Sequence, residues 1–393
     1  MKKTMLQRLF RSPLALLSAF LFTLVTLNVQ AASTMVPAPP QIAGTAYLVM
    51  DGDTGEVLLS QNADQRFAPA SLTKMMTSYI VEYEMSQGNI SEDDLVPISE
   101  KAWRTEGSRM FVREGTQVRL GDLLKGVVIQ SGNDASVALA EYIAGSESAF
   151  ADLMNQHAEM LGLKNTHFMN ATGLPHEDHY SSPHDLALIG RALINRFPEH
   201  YEIYSEKYFT YNKIRQPNRN RLLWRDDSVD GIKTGHTDEA GYCLVASAKR
   251  DGMRLITVVL GTNSDEARAQ ESQKLLSYAF RFYRTRQLYE ANQVLNQARV
   301  WGGASDQVRL GLSEDLAVTI PRGQDDQLEA SLDMNSVIKA PIEAGQTLGQ
   351  VVVTLGGETV KSVPLVALEA VPEGGFFKKI WDEIVLFFTN LFK

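Results

Sequence analysis

Two hairpin signals stand far apart in this chain, and they constrain its fold more than anything else in the sequence. "AYLVMDGDTGEVLLSQN" sets two short apolar runs around Asp51-Gly52-Asp53-Thr54-Gly55. Much later, "GYCLVASAK" and "MRLITVVLG" flank Arg250-Asp251-Gly252. Short apolar runs bounded by Gly and Asp turns read as paired strands. The pattern between them is helical, over Gly121 to Gln130, Asn133 to Ala144 and Ala149 to Leu161. A further helix is expected from Ser71 to about Glu84, where Ala68-Pro69-Ala70 puts proline near a helix start. Another runs from Ser264 to about Tyr283, opened by the acids Asp265 and Glu266. Strands at both ends with helices between them predict an α/β (α+β) unit, an antiparallel sheet covered by helices.

At 393 residues the chain has room for two domains with real cores. Residues 1–31 stand apart as a secretory signal peptide: Lys2, Lys3, Arg8 and Arg11 precede the apolar run Leu14 to Leu27, and Val29-Gln30-Ala31 offers small residues for cleavage. A signal anchor is the alternative reading. Loss of that leader moves the formal charge from −9 to −13, because four cations and no acids go with it. An acidic exported protein is a poor electrostatic partner for nucleic acid. Cys243 is the only cysteine, so no internal disulfide can form and it is expected as a small buried strand residue.

After the Pro-rich lead-in Ser33 to Gly44, residues 32–286 read as the helix-and-sheet domain. From Gln287 to Glu373 the runs alternate without helices, as in Leu328 to Met334 and in "VVVTLGGETVKSVPLVAL" around Gly356-Gly357, a small β-sandwich-like domain. The tail, residues 374–393, is different again. Phe376, Phe377, Ile380, Trp381, Ile384, Phe387, Phe388, Leu391 and Phe392 fall on one side of a helix, with Lys378, Lys379, Asp382, Glu383, Thr389 and Asn390 on the other. It is too short and too charged to span a bilayer, and an aromatic amphipathic helix of this kind lies in a membrane interface. Docking onto a domain of the same chain is the alternative, though no groove for it is evident in the β-domain.

"ASLTKMM" raises the chemical question. Lys74 follows Ser71 by one helical turn, so its amine can approach the hydroxyl. Spacing alone does not decide, because Ser336-Val337-Ile338-Lys339 repeats it in a region read as strand, where residues three apart point to opposite faces. A serine becomes a nucleophile only when a base takes its proton, and lysine can do so only when burial and nearby cations lower its pKa. The chain offers the rest of such a site. Ser131-Gly132-Asn133 sits between two helical segments. Lys233-Thr234-Gly235 opens a strand, where the glycine would let a substrate backbone lie close. In the order S-x-x-K, S-G-N, K-T-G these form the signature of penicillin-interacting serine enzymes.

With "PASLTKMMTSY", "QSGNDAS", "GLKNTHF", "NRNRLLW" and "VDGIKTGHTDEAGY", the chain resembles the low-molecular-weight penicillin-binding proteins, serine-type D-alanyl-D-alanine carboxypeptidases. The resemblance runs from the leader to the tail. It implies a penicillin-binding/serine β-lactamase-like transpeptidase domain followed by a small all-β domain and an amphipathic helix. It implies that Ser71 attacks the carbonyl between the last two D-alanines of a peptidoglycan stem pentapeptide while Lys74 takes its proton. By the same resemblance the oxyanion sits between the backbone N–H groups of Ser71 and His236, and Ser131 passes a proton to the leaving D-alanine. Asn133 holds the substrate's peptide, and Lys233, Thr234 and Arg219 receive the terminal carboxylate, with Lys233 keeping Lys74 neutral. No cofactor is implied. Partners would be the pentapeptide, β-lactams as covalent inhibitors and a membrane surface, on the periplasmic face of a bacterial inner membrane.

Two departures stand out: "AWRTEGSRM" (Ala102 to Met110) is shorter than the corresponding stretch in familiar members, and Ser136 replaces a cysteine that some relatives carry. Three rivals remain. A β-lactamase shares the motifs, but class A enzymes also carry E-x-x-L-N, which is absent between Asn133 and Lys233. A metal site would use His176, Glu177, Asp178, His179, His184 and Asp185; such a cluster in a short polar loop reads instead as solvated surface. A non-catalytic wall-binding scaffold would rest on the β-domain and tail.

Overall fold

Both hairpins enter the same five-stranded sheet. The structure, a computed structural model, describes residues 36–391; the leader assigned to residues 1–31 lies outside them. Strands β1 (Ala46–Asp51) and β2 (Val57–Gln61) form the first hairpin. Strands β3 (Val229–Thr237), β4 (Gly241–Arg250) and β5 (Met253–Thr262) form the late one with its preceding neighbour. The order is β2-β1-β5-β4-β3, every pairing antiparallel, which leaves β3 and its Lys-Thr-Gly on an edge.

The period of two along β1 decides what packs where. Leu48 and Met50 face a core with Met75, Met76 and Ile80 of helix α1 (Lys74–Ser86). Helices α2 (Asn133–Ala144), α3 (Glu147–Met160) and α4 (Pro183–Arg196) complete that layer. Val49 faces the other side, with Leu275, Leu276 and Ala279 of α5 (Asp265–Phe282). Each buried leucine or methionine contributes about 1.5–3 kcal/mol. Ser264 caps α5 by accepting from the Ala267 N–H at 3.0 Å.

The helix expected from Ser71 starts differently. Ala70–Thr73 is a 3₁₀ turn, and the α-helix proper begins at Lys74. Ala70 holds a left-handed φ of 48°, and its carbonyl is packed so closely on Gly173 that a Cβ there would lie 1.8 Å from the oxygen. A left-handed residue cannot start a regular helix.

Beyond α5 the chain turns to strands. Tyr283–Tyr289 continues directly from the helix, runs across the composition change at Gln287 and pairs with Leu316–Pro321. A six-stranded sheet closes over a core of Val308, Leu310, Val318, Ile320, Val351, Val353 and Leu365. The buried carboxylate of Asp51 ties the two parts together. Its Oδ2 accepts from Thr285 Oγ1 at 2.5 Å and Thr319 Oγ1 at 2.8 Å, and its Oδ1 from the N–H groups of Asp53 and Thr54. The second S-x-x-K pair needs a corrected account. Ser336 lies in a bend and only Ile338–Lys339 is strand, so irregular backbone rather than strand alternation separates the two side chains.

The tail forms helix α6 (Phe376–Leu391). It has a seat after all, and the expectation of no groove is corrected. Its polar side docks. Asp382 is 5% exposed and accepts from the Gly302 N–H at 2.8 Å, Leu386 is buried beside it, and Lys378 and Lys379 pair with Asp306 and Glu373. Phe376, Phe377, Trp381 and Phe387 remain 64–86% exposed on the opposite side. Among the described residues no helix is long and apolar enough to cross a membrane.

Candidate active site

A cavity of about 510 Å³ opens beside the 3₁₀ turn. Ser71, Ser131, Arg219, Thr234, Gly235 and His236 line it, so residues from four separate parts of the sequence meet there as expected. Lys74, Asn133 and Lys233 lie behind its wall and are buried.

Each motif is placed by local backbone demands. Ser131 ends a π turn over Gly126–Gln130 in a left-handed conformation, φ 66°. Residues held in this region cost about 1–3 kcal/mol and gather at functional sites. Gly235 has a packing reason beside the expected one. A Cβ there would meet the Pro69 carbonyl at 3.1 Å, Leu72 at 3.2 Å and Ala70 at 3.3 Å. The missing side chain admits the serine's own turn against the edge strand.

The amine of Lys74 is the centre of the arrangement. Nζ lies 3.1 Å from Ser71 Oγ, 2.7 Å from Asn133 Oδ1 and 2.6 Å from the Thr172 carbonyl. As an ammonium it donates to all three. As a neutral amine it has two N–H groups, and the two shorter contacts go to atoms that can only accept. Asn133 cannot flip, because its Nδ2 donates to the Glu106 carbonyl at 2.6 Å. The lone pair therefore faces the Ser71 hydroxyl. Burial first, then the positive charge of Arg219, pushes Lys74 down from its ordinary value to about 7, against the pull of Asp134.

The surroundings of three expected residues are now specified. Asn133 holds Lys74 and Glu106, which leaves its second amide N–H for a substrate. Arg219 bears on Lys74 beside burial, and the two lysines repel each other, with Lys233 held well below the usual lysine range by burial, Lys74, Arg219 and Arg268. Ser131 Oγ touches neither lysine in a hydrogen bond; it is buried with no partner among the described residues. Lys233 Nζ donates to the Thr234 carbonyl at 3.4 Å.

Other residues of the site carried no sequence signal that was read. Thr172 contributes only a carbonyl, which any residue has. Arg268 lies on α5 outside every motif, and its Nη1 donates to the Gly235 carbonyl at 3.0 Å. Asp134 follows the S-G-N motif and accepts from the N–H groups of Met110, Phe111 and Val112. It thereby shapes the Ala102 to Met110 stretch into a wall, with Ser108 lining the cavity. Ser136 donates to the Gly132 carbonyl at 2.8 Å, deep in the helix. Cys243 is buried on β4 and its thiol is pushed up to about 11 by burial.

The rival metal cluster is dispersed. Among the described residues no group of three or more His, Cys, Asp or Glu side chains converges as metal ligands do. The solvated-surface reading also needs correcting, since His179 and Asp185 are buried. Asp185 accepts from the Asn165 N–H and from Thr166 Oγ1 at 2.7 Å each.

Comparison with known proteins converges on one group. The family profile described as D-alanyl-D-alanine carboxypeptidase matches residues 33–264, and that described as the C-terminal domain of penicillin-binding protein 5 matches residues 283–373. The chain is 48% identical to D-alanyl-D-alanine carboxypeptidase DacA of Escherichia coli (strain K12), over 91% of each chain. It is 45% identical to DacC of the same organism, over 95% of each. Among solved structures, penicillin binding protein 5 from Haemophilus influenzae superposes with a TM-score of 0.82 at 45% identity, covering 86% of this chain and 100% of that one. Penicillin-binding protein D2 from Listeria monocytogenes, solved in its ampicillin-bound form, matches 62% of this chain and 100% of its own at 31% identity and a TM-score of 0.58.

Proposed function

This chain belongs to the D-alanyl-D-alanine carboxypeptidase family, and from that premise we propose that it removes the terminal D-alanine from peptidoglycan pentapeptide stems. The observation that carries the reading is the saturated amine of Lys74, with both N–H groups taken and the lone pair left for Ser71. Ser71 Oγ attacks the carbonyl of the penultimate D-alanine while its proton passes to Lys74 Nζ. The N–H groups of Ser71 and His236 receive the oxyanion, a contribution of about 3–4 kcal/mol per donor in comparable sites. Collapse breaks the C–N bond, and the leaving amine takes the proton that Lys74 accepted from Ser71, passed through the Ser131 hydroxyl when substrate binding brings it within reach of the amine. Water then cleaves the acyl ester and regenerates Ser71. The roles given to Arg219, Thr234 and Lys233, binding the free carboxylate, are supported by Arg219 and Thr234 lining the cavity and by Lys233 lying buried next to Thr234. Asn133 orients Lys74 and keeps its second amide N–H for the substrate's peptide.

The same serine would be acylated by β-lactams. With no E-x-x-L-N glutamate to activate water, the adduct should persist. Incubation with a D-Ala-D-Ala-terminated pentapeptide should yield free D-alanine, and mass spectrometry after benzylpenicillin should show one added penicillin on the Ser71 peptide. Rapid penicillin turnover without that mass would favour a β-lactamase and refute the proposal.

The location proposed is the periplasmic face of the inner membrane, with α6 lying in the interface. Its support is the aromatic side left bare while the polar side is docked. Deleting Phe376 to Lys393 should free the protein from anionic vesicles in co-sedimentation and leave D-alanine release intact, since the helix is remote from the residues of the cavity. Unchanged sedimentation would sink the anchor role.

A further inference from the structure

The histidine-rich loop, which the catalytic reading leaves without a task, sends one imidazole into the back of the site. His179 is 3% exposed. Its Nδ1 accepts from the Met169 N–H at 3.2 Å, so that nitrogen carries no proton and Nε2 does. Nε2 stands 2.8 Å from Thr73 Oγ1 and donates to it. Burial, then His167, His176 and Lys74, pushes the ring down to about 4, so it is neutral where the enzyme works.

Thr73 lies between Ser71 and the start of α1, and the segment preceding His179 touches the same helix twice more. The Thr172 carbonyl receives Lys74 Nζ, and the Ala171 carbonyl receives Thr77 Oγ1 at 2.8 Å. Gly173 has no side chain to hold it off Ala70. Asn170 Oδ1 accepts from the Thr172 and Gly173 N–H groups, which makes the turn stiff. The Ala171–Gly173 turn is therefore a rigid unit, tied to α1 through Thr77, to the 3₁₀ turn through Ala70 and to α3 through Glu147, and His179 adds a tie to Thr73, next to Lys74.

We infer that His179 is a positioning residue for the base: by joining Met169 to Thr73 it holds the Thr172 carbonyl on Lys74, and so fixes where the lone pair points. It touches neither substrate nor Ser71. Without it the turn keeps its ties to Thr77 and Glu147 but loses the one beside Lys74, so the Thr172 carbonyl shifts on the amine and the lone pair is no longer aimed at the hydroxyl. A misplacement of about 1 Å costs up to about 10²-fold in rate.

This inference rests on Ser71 and Lys74 being the nucleophile and base. The test is single-turnover acylation of the full chain by benzylpenicillin across a concentration series, read by mass spectrometry. In His179→Leu the limiting acylation rate should fall about 10- to 100-fold while the half-saturating concentration stays within about twofold. His179→Gln should restore the rate, because its amide oxygen can accept from Met169 while its N–H donates to Thr73. Should His179→Leu fail to fold, Thr73→Val removes the same bond in an isosteric side chain and should show the same loss. A wild-type limiting rate in His179→Leu or Thr73→Val, or a loss that His179→Gln does not recover, overturns the inference. A wild-type protein that does not acylate at all overturns the proposed function with it.

Discussion

Ser71→Ala is expected to release no measurable D-alanine and to gain no mass with benzylpenicillin. Removing a serine nucleophile from a comparable acyl-transfer site costs on the order of 10⁴- to 10⁶-fold in kcat. The residual rate comes from binding and the oxyanion donors alone. The fold should be unaffected, because the Ser71 hydroxyl makes a single hydrogen bond, to Lys74, and its side chain is only half-buried. Paired assays of D-alanine release and thermal midpoint separate the two effects. Full release by the variant would mean that the chemistry runs elsewhere and that the S-x-x-K motif is not the catalytic one.

Lys74→Met should be nearly as damaging, with acylation falling on the order of 10²- to 10⁴-fold, the range for loss of a general base. The pH profile makes this specific. Lys74 must be neutral to accept a proton, so wild-type acylation should climb as pH rises through about 7, where burial and Arg219 have placed the ammonium. Below that value the lone pair is occupied and the rate declines tenfold per pH unit, as for any single titrating base. In Lys74→Met this rising limb should vanish rather than move. If the limb persists unchanged, another group supplies the base. The variant also leaves two buried acceptors, Asn133 Oδ1 and the Thr172 carbonyl, without a donor, at about 1–3 kcal/mol each. A moderate fall in thermal midpoint should therefore accompany the loss of activity.

Much of the fold could be read because the signals are local. Asp51 to Gly55 and Arg250 to Gly252 are turns whose chemistry lies in adjacent residues, and alternation in β1 marks both faces of the sheet. The Ser264 cap and the acids after it announce α5 in the same way. The tail was legible as an amphipathic helix but not as a docked one, because its seat depends on Gly302 and Asp306, which only folding brings near Asp382. The 3₁₀ start at Ala70 was missed for a similar reason: nothing near Ser71 signals that Gly173 will press on the Ala70 carbonyl.

The sequence by itself determined which side chains meet: Ser71, Lys74, Ser131, Asn133, Lys233 and Arg219 are all at the cavity or its wall, because the motifs fall at element ends that the sheet and helices converge upon. Tertiary structure alone decided what each can do there. Protonation is set by desolvation and by charges arriving from distant segments, so burial and Arg219 bring Lys74 to about 7. Direction is set by acceptors, and one of them is a backbone carbonyl that no residue type announces. Whether a lysine is a cation or a base is a property of its surroundings, and those surroundings exist only in the folded chain.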